Sequence, residues 1–468
     1  MPDSSDRFKF DAVIYSSEIN HRHGVGVLLQ RIFPDTSRIL SIRAENWYGG
    51  EHTFGQVALH INHRGLTRAQ GLAKVAEALS NHQIERILCI PYQVDEVLTA
   101  LALQELFGAP ICTYLMDDQN ILVKSIPDNL MAELLSKSRL CLAISVEMCD
   151  VYKAKYAVDL HFTPPVLPFA LADLQTNSQS STAEIPSDLL QRGVMIGNVW
   201  CPTWLKSLQT ITKKTGITID WYGNTGAEWN IGDRLQLLAD GITEKGFLPT
   251  EVEVIVALKK YLYAIVPSGT LDLDDGNPAT AWLSLPSRIP FLLATANIPI
   301  IVVGNKNTTA ARFVESMGIG IAAEYKIESL MLAVKQITQP SYQQKFRQQA
   351  ALLTPLFIDH NTDEWIWQSL ASGHPIDQRF QEILDLQCQI SYLDALTQAL
   401  DTIGSQRKEI DTLRNALTLA EQARLQDQKN FEEIVELYRN QISINTFNSK
   451  FKYLIKKILG KLKKIYKN

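Results

Sequence analysis

Arg288 stands just past Leu285-Pro286-Ser287, where a helical pattern opens. A guanidinium there, with the free N–H groups of a first helical turn, suits a diphosphate. The plainer alternative is a surface salt bridge. Ser268 and Gly269 end an apolar run in a turn where backbone can approach a ligand, or where a strand simply turns into a helix. His23-Gly24-Val25-Gly26 follows the first strand-like run and holds only two glycines of a dinucleotide fingerprint, so ligand loop and tight turn are both open. In it His23, and less so His21, is a candidate base or hydrogen-bond donor, against the plainer reading of an exposed loop histidine. Asp117 and Asp118 end the run APICTYLM. Carboxylates at a strand end can activate a hydroxyl or stabilise developing positive charge, and they can equally cap the next helix.

These residues depend on the elements that carry them. The stretch from Tyr261 to Ile321 reads as strand, Ser/Gly turn, acidic loop, short helix at SLPSRIP, buried strand at IPIIVV and a helix under TTAARFVESMGIG. Apolar β-branched runs alternating with helical patterns predict parallel strands covered on both faces, with ligands at their C-terminal ends. Residues 10 to 170 alternate similarly through FDAVIYSS, RILSIRA, ERILCIPY, APICTYLMDD and SRLCLAISVE. The second set runs through RGVMIGNVW, GITIDWYGN, GITEKGFLP, YLYAIVPSG and IPIIVVG. The expected fold is α/β, two Rossmann-like domains facing a cleft, at 1–170 and 191–372, with a polar linker at 171–190.

Composition narrows the function classes. With 468 residues, 46% hydrophobic and 20% charged, the chain has the makeup of a soluble protein of two or more domains. Its six cysteines lie far apart, with no zinc spacing and no disulfide framework, so a reducing cytosol is expected and no metal. The start MPDSSDRFKFD is polar and acidic, unlike a secretory signal, and no run of 18 apolar residues occurs.

Past Pro375 a long polar helix is expected over 375–442. Leu396, Ala399, Ile403, Ile410, Leu413, Leu417 and Ala420 fit an a/d seam of about three heptads, although Gln406 and the later shift to Phe431, Ile434 and Tyr438 weaken its register. The helix either self-associates as a coiled coil, making a homo-oligomer, or packs on the body. The last 28 residues hold eight lysines and no acid, so against a total of −5 the rest sums to −13 (−5 minus 8). In the tail at 446–468, Phe451, Leu454, Ile455, Ile458, Leu459, Leu462 and Ile465 form a stripe opposite the lysines, as in a helix lying on an anionic membrane surface. A solvated basic tail is the plainer reading. Nucleic acid is not an expected partner, because it would not need the stripe.

The order of elements resembles the two-Rossmann-domain (GT-B type) glycosyltransferases that use nucleotide-sugar donors, over roughly residues 10 to 370. The resemblance rests on SRLCLAISVEMCDVYKAKYAVDLHFTPPVLP at the domain exit, on GFLPTEVEVIVALKKYLYAIVPSG, and on LPSRIPFLLATANIPIIVV, which looks like the donor-site helix and its buried strand. It implies a catalytic set of Asp117, Asp118 and His23, the aspartates lying against the reacting sugar. It implies donor contacts from Gly24, Gly26, Asn198, Lys206, Tyr222, Gly223, Phe247, Leu248, Ser268, Gly269, Ser287 and Arg288. Of these Lys206 would reach the diphosphate, and Tyr222, Gly223, Phe247 and Leu248 the nucleobase. An ordinary helix-surface lysine and core packing are the alternatives for these positions.

One departure is clear. Many retaining members carry two glutamates seven residues apart, the second on the ribose, and counting back from Pro299 puts Leu292 there. Asp272, Asp274 and Asp275 lie earlier and would replace the first glutamate only. SLPSRIPF is closer to related transferases with Ser-Arg at this helix, and retaining or inverting chemistry stays open. The resemblance implies transfer of a sugar, without cofactor or metal, to a saccharide or lipid-linked acceptor at the cytosolic membrane face, as in polysaccharide biosynthesis. A non-catalytic membrane scaffold with a degenerate body and a sugar-nucleotide epimerase are the alternatives.

Overall fold

A computed structural model describes residues 8–173, 187–199, 201–223, 234–272, 275–387, 392–444, 453, 456 and 457. The chain divides into two units, at residues 1–391 and 392–468.

The first unit holds two sheets. The first contains β1 (Phe8–Ile14), β2 (Ile39–Arg43), β3 (Val57–His60), β4 (His82–Cys89), β5 (Ile111–Leu115), β6 (Ser138–Ala143) and β7 (His161–Phe162). The second contains β8 (Arg192–Ile196), β9 (Thr218–Tyr222), β10 (Ile242–Gly246), β11 (Ala264–Pro267), β12 (Ile300–Val303) and β13 (Gly320–Ala323). Their orders are 3-2-1-4-5-6-7 and 10-9-8-11-12-13, and the paired strands run parallel. In each sheet the order reverses beside the first strand, so a crevice opens at the C-terminal ends of β1 and β8, where doubly wound sheets bind ligands. This is the expected fold class.

The apolar runs became strands for a simple reason. Every residue of β5, β11 and β12 is buried, as parallel strands covered by helices must be. Two strands, β3 and β13, were not expected from the sequence. β3 is a short edge strand of alternating burial, and β7 has two residues. β13 was expected to end a helix, yet the helix stops at Ser316. Gly320 lets β13 approach β12 closely, since a Cβ there would lie 1.9 Å from the Ile300 carbonyl oxygen.

The chain also returns to the first sheet. The helix Thr362–Ser372, expected with the second domain, packs on β5 and β6. Trp367 meets Phe33 at 5.6 Å between ring centroids and lies 4.6 Å beneath the Arg86 guanidinium. A buried ion pair joins the two sheets' helices, Arg312 Nε donating to Glu147 at 3.2 Å.

The second unit is described from its helix, Tyr392–Ile444, along which Ile410, Leu413 and Leu417 are exposed. The expected linker falls on 171–190, of which 174–186 lie outside the described residues, as does the tail at 446–468 apart from 453, 456 and 457. No helix among the described residues is long and apolar enough to cross a membrane.

Candidate functional site

The ends of both sheets line one cleft of about 260 Å³. From the first sheet come His23 and Gly24 after β1, Tyr48 after β2, Tyr92 after β4 and Asp117 after β5. From the second come Asn198 after β8, Tyr222 and Gly223 after β9, Phe247 and Leu248 after β10, and Ser287 and Arg288. Thus ten of the fifteen expected site residues meet across the cleft, although sequence distance separates them.

Arg288 opens a helical turn and reaches back to β8. Its Nη1 donates to the Ile196 carbonyl at 2.8 Å and its Nη2 to that of Asn198 at 2.5 Å. Between them Gly197 turns with φ of +75°, and even its missing Cβ would lie only 3.7 Å from Arg288 Cζ. Burial lowers the Arg288 guanidinium to about 10, which leaves it charged at neutral pH. Among the described residues no carboxylate forms an ion pair with it. Ser287 precedes it, and a Cβ on Gly24 would come 3.0 Å from Ser287 Oγ, so the two walls nearly touch here.

Asp117 forms the floor. Tyr92 donates its hydroxyl to Asp117 Oδ2, and Glu96 holds Tyr92 by accepting its backbone N–H at 3.1 Å. Burial raises the Asp117 carboxyl above the usual carboxylate range, and the hydrogen bond from Tyr92 only partly opposes it.

The other expected residues have different work. His23 is buried, with Nδ1 accepting the Gly26 N–H at 3.1 Å and Nε2 donating to the Glu18 carbonyl at 2.7 Å. Its ring stacks on Tyr48 at 4.0 Å, and burial lowers it to about 4. Both nitrogens are used inside the chain, so His23 orders the loop and has no lone pair to offer a substrate. Asp118 accepts the backbone N–H groups of Asn120, Ile121 and Leu122 at 3.0, 2.7 and 2.7 Å, and the Tyr152 hydroxyl at 2.9 Å. It is the loop cap that strand-end aspartates often are.

Gly26 lies beneath the loop, where a Cβ would strike the Asn20 carbonyl at 2.2 Å. Lys206 is exposed on the helix Pro202–Thr215 and does not line the cleft. Ser268 and Gly269 sit behind it: Ser268 accepts the Tyr325 hydroxyl at 2.9 Å through its carbonyl, and a Cβ on Gly269 would meet Ala281 Cβ at 2.4 Å. Asp275 is buried, taking the Trp204 indole N–H at 2.9 Å, while Asp274 lies outside the described residues. Leu292 is buried in a π-helical turn.

The sequence reading missed Arg22, Arg31, Tyr48, Tyr92, Ser284 and Glu251, all on the cleft wall. Arg31 is buried and ion-paired across the cleft with Glu251. Tyr92 alone had a signal, standing just past a strand end. The described residues contain no group of three or more His, Cys, Asp or Glu able to hold a metal.

Two doubly wound sheets facing such a cleft define a GT-B, glycosyltransferase-like fold. No protein-family model matches the chain, and no curated protein matches its sequence. Solved structures do share its fold. Anabaena HepE, solved in complex with UDP, superposes with a TM-score of 0.53 at 14% identity, over 78% of this chain and 100% of its own. Sucrose-phosphate synthase from Thermosynechococcus elongatus gives 0.50 at 10% identity over 81% and 100%. WaaG, a glycosyltransferase involved in lipopolysaccharide biosynthesis, gives 0.50 at 10% over 78% and 99%. At such identities the likeness is one of fold.

Proposed function

We propose that the protein is a glycosyltransferase that moves a sugar from a nucleotide donor to a saccharide or lipid-linked acceptor. The observation that carries this is Arg288, a charged guanidinium fixed on the β8 turn with no carboxylate partner among the described residues, opposite the floor carboxyl of Asp117, which burial holds above the usual carboxylate range. A diphosphate supplies the missing charge at Arg288. Tyr222, Gly223, Phe247 and Leu248, which line the cleft, take the base. Asp117 activates an acceptor hydroxyl or stabilises charge on the sugar, and this chemistry needs no metal or cofactor. The fold shared with UDP-bound HepE supports a nucleotide-sugar donor. The basic, striped tail supports work at the inner face of a membrane, where lipid-linked acceptors are met.

The test is a thermal-shift screen of UDP, GDP, ADP and their sugars, followed by turnover of the sugar that stabilises most. Arg288→Ala should abolish the shift and the turnover while the circular dichroism spectrum is unchanged. Wild-type turnover in that variant would refute the assignment.

A further inference from the structure

The wall built by the first sheet carries two arginines, Arg22 and Arg31, and one carboxyl, Asp117. Arg31 is satisfied by Glu251, and it also lies 5.2 Å from the Phe291 ring centroid. Arg22 differs. Its backbone N–H donates to Asn20 Oδ1 at 2.9 Å, but among the described residues its guanidinium has neither an ion pair nor a hydrogen-bond acceptor.

That guanidinium nevertheless has a built seat. It lies on the backbone of Gly49 and Gly50, at φ of +70° and +85°, and a Cβ on Gly50 would come 2.9 Å from Arg22 Nε. Gly50 meets both demands, the left-handed backbone and the close approach, and Gly49 the first. The seat is itself pinned from below. Buried Asn20 donates to the carbonyls of Gly49 and Glu51 at 3.0 and 3.3 Å. Buried Glu18 accepts the N–H groups of Trp47 and Tyr48 at 2.9 and 2.7 Å, and His52 accepts that of Ile19 at 3.0 Å. Arg22 is exposed at the cleft wall, yet the loop beneath it is held by these bonds, and a binding residue gains affinity from being held ready.

We propose that Arg22 is the acceptor-side anchor of the cleft and selects an acceptor that carries a phosphate or a carboxylate. The inference rests on the glycosyltransferase reading, with donor phosphates at Arg288 on the opposite wall.

Calorimetry on the full chain tests it, using protein saturated with the nucleoside diphosphate that stabilises it most. Glucose 6-phosphate and glucuronate are the phosphate and carboxylate probes, and glucose is the neutral control. Wild type should bind one anionic probe and not glucose. Arg22→Gln should weaken that probe by about tenfold or more, and Arg22→Lys by less. Nucleotide affinity should stay within about twofold in both, as the charge lost faces the acceptor. Gly50→Ala should mimic Arg22→Gln by displacing the seated guanidinium. The inference is overturned if neither anionic probe binds wild type, if Arg22→Gln leaves probe affinity unchanged, or if it loses nucleotide and probe alike, which would put Arg22 on the donor phosphates. Failure of every nucleoside diphosphate to bind would sink the glycosyltransferase reading instead, and the probes would then report on Arg22 in nucleotide-free protein.

Discussion

Glu96→Gln should stabilise this protein, by an amount that grows with pH. Glu96 is buried behind the cleft floor, where one carboxyl oxygen accepts the N–H of Tyr92 at 3.1 Å and the other has no partner among the described residues. Burial raises its carboxyl from 4.5 to about 8, against the opposing hydrogen bonds from the Gln93 and Tyr92 amides. A folded-state value above the unfolded one makes the native state the stronger proton binder. Stability from this group is therefore full below pH 4.5 and is lost as pH rises towards 8. At about 1.4 kcal/mol per pH unit, the 2.5 units between 4.5 and pH 7 cost about 3 kcal/mol. The loss levels off near 5 kcal/mol above pH 8 (about 3.5 units). Glutamine keeps an acceptor for the Tyr92 amide and cannot ionise. Urea unfolding at pH 4.5, 7.0 and 8.5 should show the variant near wild type at the lowest pH and ahead by about 3 kcal/mol at neutrality. A difference that does not change with pH would refute the reasoning.

Other predictions concern chemistry, packing and partners. Asp117→Asn should cut turnover by about 10²-fold or more and remove the acidic limb of the kcat/KM profile, which in wild type should lie above the usual carboxylate range. Arg312→Ala strands the buried Glu147 carboxylate and should cost about 3–5 kcal/mol in urea unfolding, most of it recovered when Glu147→Leu is added. Deleting residues 446–468 should release the protein from vesicles of anionic lipid in a flotation assay, and unchanged binding would exclude the tail as anchor. Leu413→Lys with Leu417→Lys should turn a homo-oligomer into monomer by light scattering if the exposed seam self-associates, and an unchanged mass would exclude that interface.

Much of the fold was legible because burial on both faces writes itself into composition. Ile-Ile-Val-Val at β12 and Ala-Ile-Val at β11 admit little else once helices flank them. Edge and close-approach strands leave no such mark: β3 is half exposed, and β13 opens at Gly320, where a Cβ would strike the Ile300 carbonyl. Strand-end residues such as Asp117, Asn198 and Tyr222 were found because topology fixes where strand ends point. The same rule also selected Asp118, Ser268 and Gly269, which sit at strand ends yet turn inward.

The two parallel sheets, the cleft at their C-terminal edges, the guanidinium at Ser287-Arg288 and the acidic body with its basic tail follow from local pattern and charge alone. Which polar groups remain unspent depends on how the elements pack together. That packing used both nitrogens of His23 and both oxygens of Asp118 within loops, and it closed Arg31 onto Glu251 from the opposite wall. Among the described residues it left Arg22 and Arg288 without carboxylate partners, both lining one cleft. Hydrogen-bond partners come from residues tens to hundreds of positions apart, so no local pattern records which charge will be answered within the chain and which is left for a ligand.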